Sequence, residues 1–109
     1  MTKTKLQIIL KQLTDKIVKD YQPEKIILFG SAVSGEMGID SDLDIAIVKN
    51  TNKRFYDRIG EVLRTIRNIN NKPPIDFIVY TPSEFEDMKR KSYFVKDEIL
   101  NKGKVIYEQ

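Results

Sequence analysis

Three short apolar runs, set apart by segments with helical periodicity, limit the possible folds of this chain more than any other feature. The runs are Lys25–Phe29, Leu43–Val48 and Ile75–Tyr80. Each has the length and the β-branched or aromatic content of a buried strand. Between them, apolar residues recur every three or four positions, which predicts helices. The alternation indicates an α/β domain in which helices flank a small sheet.

The boundaries of the predicted helices follow from glycine, proline and capping residues. A first helix carries a row of apolar residues that ends before Pro23. A short helix from Ser31 is followed by a loop marked by Gly35 and Gly38. The apolar positions of the two long helices are Leu6, Ile9, Leu10, Leu13, Ile17 and Tyr21 in the first, and Phe55, Ile59, Val62, Leu63 and Ile66 in the second.

The last helix has the clearest start signal. Thr81-Pro82-Ser83-Glu84 combines a capping threonine, a proline at the first helical position and a glutamate that can close a capping box. We expect this helix to run towards Leu100 with a break near Ser92. Gly103 then ends it, and Lys104–Tyr107 is predicted to add a short edge strand.

The absence of cysteine and histidine narrows the chemistry. Disulfides, thiolate zinc sites and cysteine nucleophiles are excluded, and so is a histidine base or ligand. A metal would have to be held by oxygen, which favours Mg²⁺ or Mn²⁺.

The remaining composition predicts one cytoplasmic domain over residues 1–109. The 109 residues suit a single domain, and no internal repeat or linker divides them. No apolar run is long enough to cross a bilayer, and the N-terminus lacks the pattern of a signal peptide. The net charge of +3 is mild, and we interpret the basic run Lys89-Arg90-Lys91 as a solvated helix face, so nucleic acid is not an expected partner.

Carboxylates at the starts of two apolar strands are the main candidates for chemistry. Asp42 and Asp44 flank Leu43 and are expected on one face of the second strand, because side chains alternate along a strand. Asp76 lies within the third run. If these strands are neighbours, the three carboxylates converge and repel one another unless a cation lies between them. Taken singly, each motif fits a turn, a cap or a surface position equally well.

Gly30-Ser31, directly after the first strand, adds a candidate phosphate site. Glycine lets the backbone approach a triphosphate closely, and the serine offers its hydroxyl and N–H to phosphate oxygens. Asp42 and Asp44 would then hold the ion that bridges phosphates. Asp76 would help to hold a second ion or accept the proton of an attacking hydroxyl.

Phe29-Gly30-Ser31, ten residues, and then Asp42-Leu43-Asp44-Ile45 resemble the signature of the DNA polymerase β nucleotidyltransferase superfamily. Ile75–Val79 resembles its third-carboxylate strand, and the small size is most similar to the minimal nucleotidyltransferase branch. The resemblance implies a nucleotidyltransferase fold with a small mixed sheet. It also implies triphosphate binding at Gly30 and Ser31 and metal binding at Asp42, Asp44 and Asp76.

The same resemblance implies a partner. Members of this branch often accompany a small helical toxin of the HEPN type, and some transfer AMP from ATP to a tyrosine of that toxin. Many of these antitoxins read Gly-Ser-Arg-x-Arg-Gly, whereas this chain has Ala32 and Ser34 at the arginine positions. Lys53 or Arg54 are candidates to replace the missing cations.

Two other interpretations stay open from the sequence. The chain could be a binding module that neutralises a partner by contact. Alternatively, it could be a small-molecule nucleotidyltransferase, related to aminoglycoside-modifying enzymes, whose acceptor site a partner subunit supplies. All three interpretations predict a homo- or hetero-oligomer.

Overall fold

The computed structural model describes residues 2–35 and 42–109 as a sheet between two layers of helix. Gly38 of the predicted loop lies outside these residues. The helices are α1 Lys3–Tyr21, α2 Ser31–Ser34, α3 Phe55–Ile66 and α4 Pro82–Lys91, followed by a π-helical segment, Val95–Asn101. The strands are β1 Lys25–Phe29, β2 Leu43–Val48, β3 Ile75–Tyr80 and β4 Lys104–Glu108.

The four strands form a mixed sheet in the order β3-β2-β1-β4. β1 runs antiparallel to both β2 and β4, whereas β2 and β3 are parallel. The predicted α/β class and all three apolar strands are therefore confirmed, and β4 occupies a sheet edge as expected.

Alternation along the strands separates two apolar layers. Ile26 and Leu28 of β1 face the core beneath α1 and α3. Ile27 and Phe29 face the opposite layer, beneath α4 and the π-helical segment. Both sides of β1 and β2 are buried, which explains why these strands are continuous apolar runs.

The predicted start of α4 is confirmed in full. The Thr81 hydroxyl accepts from the N–H of Glu84 at 3.2 Å, and the Glu84 carboxylate accepts from the N–H of Thr81 at 2.8 Å. Ser92 caps the C-terminus of α4, where the break was expected. The segment beyond it is π-helical, which the sequence did not predict. Its wider turn places Val95 and Ile99 together against the sheet, both buried.

A buried arginine, Arg58, fastens α3 to its neighbours. Its guanidinium donates to the carbonyl oxygens of Lys53 at 2.9 Å and Val79 at 3.0 Å. It also pairs with both carboxylate oxygens of Glu84 at 2.6 and 3.2 Å. This bidentate pair holds the pKa of Glu84 below its usual value, chiefly through the hydrogen bond from Arg58. Arg58 therefore links α3, β3 and the start of α4.

Ion pairs on α4 agree with the interpretation of its basic run as a solvated helix face. Lys89 pairs with Glu86 on its own helix, and both Arg90 and Lys91 pair with Asp87, so this basic run is balanced locally. Within residues 2–35 and 42–109, no helix is long and apolar enough to span a membrane.

Candidate active site

The C-terminal end of β1 lies beside the N-terminal end of β2, which lies beside the N-terminal end of β3. Asp44 of β2 lies opposite Phe29 of β1 and beside Asp76 of β3 in the strand register. Two carboxylates from different strands are therefore direct neighbours. The sequence predicted this arrangement on the condition that the two strands are adjacent, and the parallel pairing of β2 with β3 meets that condition.

Side-chain alternation decides which face of the sheet carries these carboxylates. Asp44 shares its face with Ala46 and Val48, which pack in the layer beneath α4 and the π-helical segment. Leu43 points into the opposite layer and is fully buried. The carboxylates thus lie on the face covered by the C-terminal third of the chain.

A cavity of ≈ 450 Å³ opens beside the two carboxylates. Phe94, at the start of the π-helical segment, forms one wall and packs edge-on against Phe29 with ring centroids 5.6 Å apart. The Phe94 side chain remains 45% exposed. The lining residues are Phe29, Gly30, Asp44, Asp76, Phe77, Ile78, Phe94 and Glu98.

Gly30 is the residue that makes room for Asp44. It adopts φ 75° and ψ −149°, a region that is essentially restricted to glycine. A Cβ at this position would collide with the Asp44 carboxylate. The backbone conformation therefore favours glycine after β1, and a side chain at this position would also displace the Asp44 carboxylate.

The electrostatics of Asp44 indicate uncompensated negative charge. Burial raises the pKa of this half-buried carboxyl above its usual value, and the charges of Asp76 and Asp42 raise the pKa further. A cation placed among these groups would relieve the repulsion, and oxygen donors suit a hard divalent ion. The donor set therefore fits Mg²⁺ or Mn²⁺.

The third predicted carboxylate, Asp42, lies outside the strands that carry Asp44 and Asp76. It precedes β2 and is half-buried, whereas Asp76 is exposed. Among residues 2–35 and 42–109, no three acidic side chains are close enough to hold one metal ion together. Asp44 and Asp76 are thus neighbours in the strand register, and the charge of Asp42 raises the pKa of Asp44. The role of Asp42, Asp44 and Asp76 as metal ligands stays a prediction.

A second cavity, of ≈ 500 Å³, lies on the other side of Gly30. Its residues are Gly30, Ser31, Val33, Ser34, Glu98 and Lys102. Gly30 and Glu98 belong to both cavities, so the two are adjacent. The predicted phosphate-binding residues Gly30 and Ser31 therefore lie beside the carboxylates.

The suggested substitutes for the missing arginines are not at this site. Lys53 and Arg54 line neither cavity. They follow Val48, the last residue of β2, which lies at the opposite end of that strand from Asp44. Their positions ahead of α3 make them unsuitable as phosphate ligands here.

Phe94, Glu98 and Lys102 were missed as site residues. They come from the segment around the π-helix, about fifty to sixty residues after Asp44 in the chain. Their types and spacing resemble those of any amphipathic helix, so the sequence carries no signal that would have found them.

Comparison with known families decides the assignment of the domain. Residues 11–109 match the family model described as polymerase beta, nucleotidyltransferase. The chain belongs to this polymerase beta nucleotidyltransferase family. The predicted superfamily and fold are confirmed, whereas membership of the minimal branch with HEPN partners stays a prediction.

An individual relative of this chain supports the same assignment. Over 80 residues it is 36% identical to a spectinomycin 9-adenylyltransferase of Staphylococcus aureus, covering 65% of this chain and 31% of the relative. The chain thus spans about a third of the length of that enzyme.

Two solved structures share the fold. A protein assigned as a nucleotidyltransferase from Sulfolobus solfataricus has a TM-score of 0.62 at 20% identity, covering 92% of this chain and 78% of that chain. A toxin-antitoxin structure with AMP-PNP has a TM-score of 0.61 at 20% identity, covering 90% of this chain and 73% of that chain. At this identity the likeness concerns the fold alone.

Proposed function

We propose that residues 1–109 form a nucleotidyltransferase domain that transfers AMP from ATP to a hydroxyl acceptor and releases pyrophosphate. The observation that carries the proposal is the placement of Asp44 beside Asp76, with Gly30 leaving space for the Asp44 carboxylate. The family assignment supports nucleotidyl transfer. The name of the adenylyltransferase relative supports AMP as the transferred group.

In this proposal Gly30 and Ser31 bind the triphosphate. Gly30 allows close approach of the backbone, and Ser31 donates its hydroxyl and N–H to phosphate oxygens. Asp42, Asp44 and Asp76 would hold Mg²⁺ or Mn²⁺, which when bound neutralises phosphate charge and the departing pyrophosphate.

The transfer itself is a substitution at the α-phosphorus. The acceptor hydroxyl oxygen forms a new bond to the α-phosphorus, and the bond from that phosphorus to the bridging oxygen of pyrophosphate breaks. The hydroxyl proton passes to a carboxylate oxygen of Asp76, which is exposed in the cavity wall and can therefore reach an acceptor. The products are the AMP ester of the acceptor and pyrophosphate.

Two acceptor classes have support. The toxin-antitoxin structure with the same fold favours a protein acceptor, and we propose a tyrosine of a helical HEPN-type toxin, with this chain as a cytoplasmic antitoxin. The spectinomycin 9-adenylyltransferase favours a small-molecule acceptor. This chain spans about a third of that enzyme, and in this alternative a partner subunit supplies the acceptor site.

A contact-only antitoxin is the competing function. The sequence feature that favours it is the loss of both arginines, because Ala32 and Ser34 lack the charged, bidentate donor group that arginine offers to phosphate. It predicts partner binding without nucleotide binding, so a nucleotide titration separates it from the enzyme.

The test is an ATP titration by calorimetry with and without Mg²⁺, on the wild type, Asp44→Asn and Asp76→Asn. Asp57→Asn serves as the matched control, since this exposed aspartate of α3 lines neither cavity. We expect Mg²⁺-dependent binding by the wild type and the control, and loss of about tenfold or more in both site variants.

Labelled ATP then tests transfer to the acceptor. Transfer of the α-phosphate label to a toxin tyrosine or to spectinomycin would identify the acceptor class. If the wild type fails to bind millimolar ATP in the presence of Mg²⁺, the enzymatic proposal is wrong and the contact-only function takes its place.

A further inference from the structure

Lys102 has no assigned role, yet it lies in the cavity beside the predicted phosphate-binding residues. It follows the π-helical segment and lines the same cavity as Gly30, Ser31 and Ser34. In the described part of the chain, it is the one cationic side chain among the residues that line the two site cavities. A triphosphate carries several negative charges, so this position is electrostatically distinct from the rest of the site.

The charged residues are distributed unevenly between the two cavities. Asp44 and Asp76 line only the cavity that includes Phe94, and Lys102 lines only the cavity that includes Ser31. Glu98 lies between them and belongs to both. A bound nucleotide would therefore meet Asp44 and Asp76 on one side of Gly30, and Lys102 with its ion-pair partner Glu98 on the other.

The side chain of Lys102 is available for such a ligand. Its ammonium group pairs with Asp97 at 3.1 Å and Glu98 at 3.2 Å, and its side chain remains 63% exposed. Ion pairs with this exposure contribute little to stability. They hold the ammonium near the cavity and can be exchanged for phosphate oxygens without unfolding the segment.

We propose that Lys102 binds the β- and γ-phosphates of the nucleotide and replaces the arginines that are absent at Ala32 and Ser34. This inference rests on the proposed function and adds an orientation to it. The polyphosphate lies in the cavity of Ser31 and Lys102. The α-phosphate lies near Gly30 and the carboxylates, and the acceptor enters beside Phe94.

The experiment measures MgATP affinity of the wild type, Lys102→Ala, Lys102→Arg and Lys96→Ala by calorimetry. Lys96 is the matched control, because it is an exposed lysine of the same π-helical segment that lines neither cavity. We expect Lys102→Ala to weaken MgATP binding about tenfold, Lys102→Arg to retain most of the affinity, and Lys96→Ala to match the wild type.

Inorganic triphosphate with Mg²⁺, used as a competitor of MgATP, tests the position of the contact. Lys102→Ala should weaken the binding of triphosphate by a factor similar to that for MgATP, since the lost contact is to phosphate. A loss confined to MgATP, or no competition in the wild type, would overturn the inference. Thermal melts of each variant establish that the fold is unchanged.

Failure of the inference and failure of the proposed function are distinguishable. Normal MgATP binding by Lys102→Ala would overturn the role of Lys102 alone. Absence of MgATP binding by the wild type would overturn the nucleotidyltransferase proposal, and the role of Lys102 with it.

Discussion

Replacement of Gly30 by alanine tests the coupling between the backbone after β1 and the carboxylate of β2. Alanine would have to adopt φ 75° and ψ −149°, which costs about 1–3 kcal/mol for a residue with a side chain. The new Cβ would also collide with the Asp44 carboxylate. That carboxylate is the end of a side chain and can rotate away, at roughly 0.5–1.5 kcal/mol for a strained rotamer.

The expected loss of unfolding free energy for Gly30→Ala is therefore about 2–4 kcal/mol. Urea denaturation at neutral pH in EDTA measures this loss without interference from metal. With a slope of about 2 kcal/mol per molar urea, the midpoint should fall by about 1–2 M. A domain of this size has about 5–15 kcal/mol to lose, so the variant should still fold.

A double-mutant cycle separates the two contributions. In an Asp44→Ala background the colliding carboxylate is absent, so Gly30→Ala should cost only the backbone strain, and the two substitutions should couple by about 0.5–1.5 kcal/mol. Gly35→Ala is the control, because Gly35 has φ 82° with open space around its Cβ position. A Gly30→Ala loss below about 1 kcal/mol, or an identical loss in both backgrounds, would refute the reasoning.

Three further predictions concern charged and buried polar groups. Arg58→Ala should lower the unfolding free energy by about 3–5 kcal/mol in urea denaturation, because it leaves Glu84 and buried carbonyl oxygens without their donor, whereas the exposed Arg64→Ala should change it little. Asp44→Asn should raise the thermal midpoint at pH 7 in EDTA, because the pKa of Asp44 is raised on folding. The protonated Asp44 carboxyl stabilises the folded state fully below pH 3.8, and this stabilisation is lost as the pH rises through the pKa of the folded state. No gain at pH 7, or a gain that persists at pH 3, would contradict this. Tyr21→Phe should leave stability unchanged or raise it by up to about 1 kcal/mol, because the buried Tyr21 hydroxyl has no partner in the described structure. Burial raises the pKa of Tyr21 to about 12 and also raises the pKa of Tyr80, so an ultraviolet titration of the wild type should show tyrosines that ionise above the usual pH, and Tyr21→Phe should remove one of them.

Local sequence signals predicted most of the fold. The β1, β2 and β3 boundaries match the apolar runs, and the capping box at Thr81 and Glu84 forms as expected. These features depend on residues within a few positions of one another, so they can be read along the chain. The π-helical winding after Ser92 was not predicted, because it depends on how Val95 and Ile99 meet the sheet.

The candidate site was predicted only in part for the same reason. Gly30 and Asp44 are near each other in sequence and belong to one motif, and Asp76 was linked to them only by assuming adjacent strands. Lys53 and Arg54 had the right charge, but the direction of β2 carries them away from the site.

The sequence by itself determined the strands, the helix boundaries and the chemistry that the absence of histidine and cysteine leaves open. These depend on local periodicity, capping and residue type. Only the tertiary structure decided the strand order that puts Asp44 beside Asp76, the close approach of the Asp44 carboxylate to Gly30, and the return of the C-terminal segment that brings Lys102 to the site. Contacts between distant segments depend on how the layers pack, and side-chain periodicity does not encode that packing.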